Sequence, residues 1–134
     1  MFSVGTGHAQ SSAMTIQSFR DLKVWQKSML LAEQTYSLAR GFPAEERYGL
    51  ARQLRRAAVS IPSNIAEGSA HPTKRYVHHL RIALGSEAEL QTQLQLSVRL
   101  RLSSDQTATP IVQLASEVGR MLHALIRSLS IPDP

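Results

Sequence analysis

No cysteine occurs in the 134 residues, which excludes disulfide frameworks, thiolate metal sites and cysteine nucleophiles. No apolar run approaches the ~18 residues of a membrane helix, so a soluble, cytoplasmic chain is expected. No segment alternates with a period of two, which argues against strands. The Gly-Thr-Gly at 5–7 follows no strand and has no Lys-Ser/Thr behind it, so it is no phosphate loop. Nor does the N-terminus offer the basic start and apolar stretch of a signal peptide. Acidic residues are the minority: ten Asp plus Glu stand against fifteen Lys plus Arg, a formal charge of +5. Hydrophobic residues at 43% are enough for one buried core, and the length suits a single domain. Composition therefore describes a small basic domain and names no activity.

Residues 1–17 are polar and Gly/Ser-rich without apolar period, and read as a disordered tail in which Met14 is a candidate start. The bundle domain is expected over 18–131, as four helical segments. The first (20–40) places Leu22, Trp25, Met29, Ala32 and Tyr36 on its core face, with Gly41 as a left-handed cap before Pro43. The second (44–68) opens on Glu45 and Glu46, buries Leu50, Leu54, Ala57, Ala58, Ile61 and Ile65, runs through Pro62 as a kink, and closes at Gly68. The third (73–102) carries Val77, Leu80, Leu84, Leu90, Leu94 and Val98 on one stripe. The fourth (109–130) carries Ile111, Leu114, Val118, Leu122, Leu125 and Leu129, with Pro132 as its stop. Short connections favour antiparallel neighbours, hence an all-α, up-down-up-down four-helix bundle.

A second apolar stripe accompanies two of these helices. Val24, Leu31 and Leu38 lie opposite the first helix's assigned core face, and Ile82, Leu96 and Leu100 lie opposite the Leu80 stripe. A lone bundle helix is polar there, so these six residues are the expected subunit-interface candidates. Polar residues also fall in apolar places. Asn64 sits on the core face of the second helix between Ser60 and Glu67, and Glu87 lies centrally on the third helix's stripe. Unpaired burial of such groups costs several kcal/mol, so a network between helices two and three is expected, with Gln53 or Arg56 as partners.

Specific residues resemble a known family. They are Phe19-Arg-Asp-Leu-Lys-Val-Trp25, Gly41-Phe-Pro43 and Glu46, then Gln53-Leu-Arg-Arg56-Ala-Ala-Val-Ser-Ile-Pro-Ser-Asn-Ile-Ala-Glu-Gly68, Gly85-Ser86 and Glu89-Leu90. Over about residues 18–130 the chain resembles the bacterial four-helix bundle proteins encoded in intervening sequences of 23S ribosomal RNA genes. Relatives include the accessory variability protein of diversity-generating retroelements. The resemblance implies a homopentamer of four-helix protomers, nucleic-acid association in some members, and no known enzyme activity. It marks Gln53, Arg56, Ser63, Asn64, Glu67, Gly68, Ser86 and Glu89 as family-pattern positions that build the fold and its interfaces. Glu87 stands where that pattern is usually apolar, and residues 1–17 have no counterpart in it.

Catalytic and metal chemistry find little support. The histidines (His8, His71, His78, His79 and His123) contain no i,i+4 pair, no Gly-x-Ser-x-Gly elbow occurs, and no Glu-x-x-His motif suggests a di-metal bundle. No catalytic residue, metal ligand or cofactor is expected. The cations are more informative. Arg20, Lys23 and Lys27 share one flank of the first helix; Arg52, Arg55 and Arg56 share the outside of the second; Arg81 and Arg99 lie along the third, and Arg120 and Arg127 along the fourth. Such flanks bind phosphates without reading sequence. Base stacking is not indicated, because Trp25 and Tyr36 are assigned to the core. A Glu117–Arg120 pair is the expected intrahelical support. The expected function is therefore a homo-oligomeric, non-enzymatic basic bundle associated with RNA. A scaffold that docks a protein partner is the other reading, and no membrane is expected among the partners.

Overall fold

In each helical segment, residues recurring in steps of three and four face inward, the spacing of helices that pack knobs-into-holes. The computed structural model describes residues 18–130, so the expected tail at 1–17 and the stop at Pro132 lie outside the described residues. It contains α1 (Lys23–Arg40), α2 (Leu50–Ser69), α3 (Thr73–Arg99) and α4 (Asp105–Leu129), with short 3-10 turns at Phe19–Asp21 and Ala44–Glu46. The inward series are Val24, Ser28, Leu31, Thr35 and Leu38 on α1, and Ala51, Leu54, Ala58, Ile61, Ile65 and Gly68 on α2. On α3 they are Leu80, Ala83, Glu87, Leu90, Leu94 and Ser97, and on α4 Ala108, Ile111, Ala115, Val118, Leu122 and Ile126.

Each helix packs on two others: α1 on α2 and α4, and α3 on α2 and α4, so the four close into a square bundle. Antiparallel running follows from the contacts. Ser60 meets Ser86 and Asn64 meets His79, so residue numbers rise along α2 as they fall along α3. Lys27 meets Glu117 across α1 and α4 in the same sense as the cleft joining Leu38 to Thr107.

The inward face of α1 corrects the expected one. Val24, Leu31 and Leu38 are core residues, 4%, 0% and 6% exposed, and are therefore not available to a subunit interface. Trp25 and Ala32 are half-buried beside the core, while Met29 and Tyr36 are exposed. Ser28 and Thr35 occupy the inward series without stranding their hydroxyls, because Ser28 Oγ donates to the Trp25 carbonyl and Thr35 Oγ1 to the Leu31 carbonyl, each at 2.8 Å. These polar letters interrupt the apolar stripe in sequence while their small size lets α1 pack closely.

The helix ends follow local chemistry. α2 runs unbroken through Pro62, as expected, and Glu46 Oε1 accepts from the Leu50 N–H at 3.2 Å to satisfy one donor of its first turn. α4 starts four residues before the expected 109, because Ser104 Oγ accepts from the Thr107 N–H at 3.1 Å and leaves Pro110 inside the helix. Gly41 is not left-handed, with φ −79°. That conformation falls instead to Arg101, φ 63°, where α3 ends with the Leu102 N–H donating to the Ser97 carbonyl and the Arg101 N–H to the Val98 carbonyl. An L-residue there is strained by ~1–2 kcal/mol. Arg101→Gly is therefore expected to raise stability by about 1 kcal/mol in urea denaturation.

Gly68 lies inside α2 and does not close it. A Cβ at this position would sit 2.7 Å from His79 Cβ and 3.3 Å from the Tyr76 carbonyl oxygen. The glycine is what lets α2 and α3, the most extensively packed pair, approach this closely. Burial in the same corner pushes the Tyr76 phenol above its ordinary range.

Candidate functional site

Three of the eight family-pattern positions, Asn64, Gly68 and Ser86, lie along the α2–α3 seam. Asn64 Nδ2 donates to the Ser60 carbonyl at 2.9 Å and to Ser60 Oγ at 3.1 Å, and Ser86 Oγ donates to the same hydroxyl at 2.8 Å. With the Asn64 amide so oriented, its Oδ1 accepts from His79 Nδ1 at 3.0 Å, which places a proton on that nitrogen. His79 Nε2 then faces Glu67 Oε2 at 3.9 Å, and the His71 ring stacks on His79 with centroids 5.9 Å apart. Asn64, Ser86 and Gly68 thus join the two helices. Gln53, Arg56, Ser63, Glu67 and Glu89 are instead exposed on the outer surface, so the pattern is not wholly a packing feature.

The expected Glu87 network does not form. Glu87 is buried but faces α4 and not α2: its carboxylate accepts from Gln91 Nε2 on its own helix and lies against Gly119. A Cβ at position 119 would stand 2.9 Å from Glu87 Oε1, so Gly119 makes room for the carboxylate. Gln53 and Arg56 are exposed on α2 and play no part in it. Among the described residues no group of three or more His, Cys, Asp or Glu side chains is placed to hold a metal ion. His78 and His123 are exposed, and His8 lies outside the described residues.

The candidate cations fall into separate groups. Lys27 is bound by Glu117 at 2.7 Å, so Glu117 reaches across to α1 and not along its own helix to Arg120. Arg120 Nη1 donates to Ser116 Oγ at 3.0 Å. Stepping four residues from the Lys27–Glu117 contact brings Lys23 level with residue 121, beside Arg120. Stepping eight from the Glu87–Gly119 contact brings Arg127 level with residue 79, within about 3 Å of the level of Arg81 along the bundle. Lys23, Arg81, Arg120 and Arg127 are all exposed, so they surround the second half of α4 from three helices. Arg52, Arg55 and Arg56 lie elsewhere, at the start of α2. Arg55 Nη2 donates to the Arg47 carbonyl at 3.2 Å, and its guanidinium stands 5.9 Å from the centre of the Tyr36 ring. Arg20 covers the Phe19 ring at 4.6 Å, and Arg99 is exposed near the end of α3.

Two apolar surfaces complete the exterior. Between α1 and α2 runs an open groove of about 630 Å³, lined by Phe19, Trp25, Met29, Tyr36, Val59, Pro62 and Ala66, with Glu33, Ser63 and Arg40 among its polar residues. Its aromatic wall is the face that the sequence pattern assigns to the core. On α3, Ile82, Leu96 and Leu100 are 40%, 42% and 55% exposed, in keeping with the second stripe expected on that helix. No helix is long and apolar enough to cross a membrane among the described residues.

These surfaces define an all-α four-helix bundle whose cations lie outside and whose core is apolar. The model of the 23S rRNA-intervening sequence protein family matches residues 20–124, and the chain belongs to that family. A crystal structure from Bacteroides thetaiotaomicron VPI-5482, described as a protein of unknown function from the S23 ribosomal protein family, is similar at 24% identity. The likeness covers 78% of this chain and 98% of that one with a TM-score of 0.73, and it supports the fold. A comparison with curated proteins finds no match.

Proposed function

We propose that the chain is a non-enzymatic, self-associating basic bundle that binds RNA through its phosphates. The observation that carries this reading is the set of exposed cations, Lys23, Arg81, Arg120 and Arg127, around the second half of α4. Side chains on rigid helices at such spacing meet a polyanion with little ordering cost, and they contact phosphate without selecting a base. The family's name, with its reference to 23S rRNA, points the same way. Self-association is supported by the exposed Ile82, Leu96 and Leu100, and repetition of the cationic face around an assembly multiplies its field.

The α1–α2 groove favours a second reading, a scaffold that docks a protein partner there. Light scattering on the purified chain, alone and with a short structured RNA, separates the two. The RNA reading expects a multiple of the single-chain mass alone and a heavier complex with RNA at low salt. A monomer that leaves RNA unbound contradicts it and favours the scaffold.

A further inference from the structure

We infer that a pocket at the end of the bundle takes the base of an unpaired nucleotide from RNA lying along α4. The inference rests on the RNA reading and adds a contact to the base beside the contacts to phosphate. The pocket opens where α1 begins and α2 ends, and its volume is about 660 Å³. That size lies inside the ~300–1,000 Å³ range of small-molecule sites. Phe19, Leu22, Tyr76 and Leu125 form its apolar wall, so the entry to α1, α3 and α4 all contribute. Exposed Arg20 also lines it, with the guanidinium held over the Phe19 ring at 4.6 Å from the ring centre. Aromatic rings and arginine guanidinium planes are the surfaces on which unpaired RNA bases stack.

Three hydroxyls line the same pocket. Ser18 Oγ accepts from the Arg20 N–H at 3.1 Å and from Arg20 Nη1 at 3.3 Å, which leaves its own proton to donate. Ser69 Oγ donates to the Ala66 carbonyl at 2.8 Å, which leaves its lone pairs to accept. Burial pushes the Tyr76 phenol above its ordinary range, so it stays a neutral donor. A base edge carries donors and acceptors together, and this set of hydroxyls answers both kinds.

The charge around the pocket singles out a nucleotide over a neutral apolar ligand. No acidic side chain lines it, and Asp21 is the one carboxylate of the 3-10 turn that carries Phe19 and Arg20. Lys23 is exposed three residues beyond Arg20, and the Lys27–Glu117 contact places it beside Arg120. The cations around the second half of α4 therefore continue to the pocket mouth, where Leu125 of the same helix is part of the wall. A strand held there by its phosphates brings a neighbouring unpaired base to an apolar recess equipped with hydroxyls.

The test compares two fluorescein-labelled RNAs by anisotropy at low salt: a blunt-ended duplex, and the same duplex with one unpaired adenosine. The full chain is expected to prefer the second by about tenfold, within the usual worth of one stacked base. Ser69→Leu fills the pocket and is expected to bring the two affinities level without changing that for the blunt duplex. Tyr76→Phe keeps the ring and removes the hydroxyl; it is expected to lower the preference by about threefold, the effect of one neutral hydrogen bond. Circular dichroism checks that both variants are folded, and Tyr76→Phe decides should Ser69→Leu fail to fold. Equal affinity of the unmodified chain for both RNAs, or a preference that survives both substitutions, overturns the pocket while the RNA reading stands. Failure to bind either RNA removes that reading, and the pocket with it.

Discussion

Gly68→Val is expected to lower stability by about 3 kcal/mol, the upper part of the usual cost of overpacking a well-packed core. The cause is geometric. The first added carbon already lies 2.7 Å from His79 Cβ and 3.3 Å from the Tyr76 carbonyl oxygen, and neither atom is the free end of a flexible side chain. α2 and α3 must separate to admit it. Separation strains the Asn64–His79 and Ser60–Ser86 hydrogen bonds on the same seam. β-Branching adds a smaller helix-propensity penalty. Gly68→Ala is expected to be milder, near 1 kcal/mol, since only one carbon must be accommodated. Urea denaturation followed by circular dichroism measures both. Equal stability of Gly68→Val and the unmodified chain would show that the helices do not pack this closely.

The second large effect concerns RNA. Arg81→Gln, Arg120→Gln and Arg127→Gln together remove three cations from the face around α4 without touching the buried core. Each cation withdrawn from a phosphate reduces the salt dependence by about 1 in log–log slope, and withdrawing three lowers affinity at physiological salt by about tenfold or more. Arg47→Gln, Arg52→Gln and Arg56→Gln together, at and just before the start of α2, form the matched control. It changes a comparable charge on a different face and is expected to weaken binding far less. Fluorescence anisotropy with a labelled hairpin RNA reads the difference. Equal weakening in the two variants would mean that the RNA sees net charge and not this face.

The helices themselves are legible in the sequence because their apolar periods run for several turns, and α2 keeps its period through Pro62. The face of α1 is not. Trp25, Met29 and Tyr36 outweigh Val24, Leu31 and Leu38 in apolar bulk, while Ser28 and Thr35 make the true seam look polar. The alternating steps of four and three from Val24 to Leu38 are the better signal, since hydroxyls that bond to their own helix cost little when buried. α4 starts ahead of the expected 109 because Ser104 caps its first turn, and Pro110 is accommodated in its second turn. The left-handed end of α3 at Arg101 carries no sequence mark at all, because glycine is the residue that normally announces it.

For the candidate site, the sequence identifies the individual cations but not their grouping, which depends on register. Lys23, Arg81, Arg120 and Arg127 come from three helices and come together only through the Lys27–Glu117 and Glu87–Gly119 contacts. Glu87 is visibly out of place in the sequence, yet its host is α4, through a glycine, and not the expected α2. A helix wheel assigns a residue to a face but does not say which neighbour that face meets.

The most direct measurement is the affinity of the full chain for a structured RNA as a function of salt. Binding through phosphates around α4 predicts a linear fall of log affinity with log salt. About four phosphate contacts correspond to a fall of about a hundredfold between roughly 50 and 200 mM, with a shallower line for the Arg81, Arg120 and Arg127 triple variant. A flat line, or no binding at the lowest salt, would contradict it.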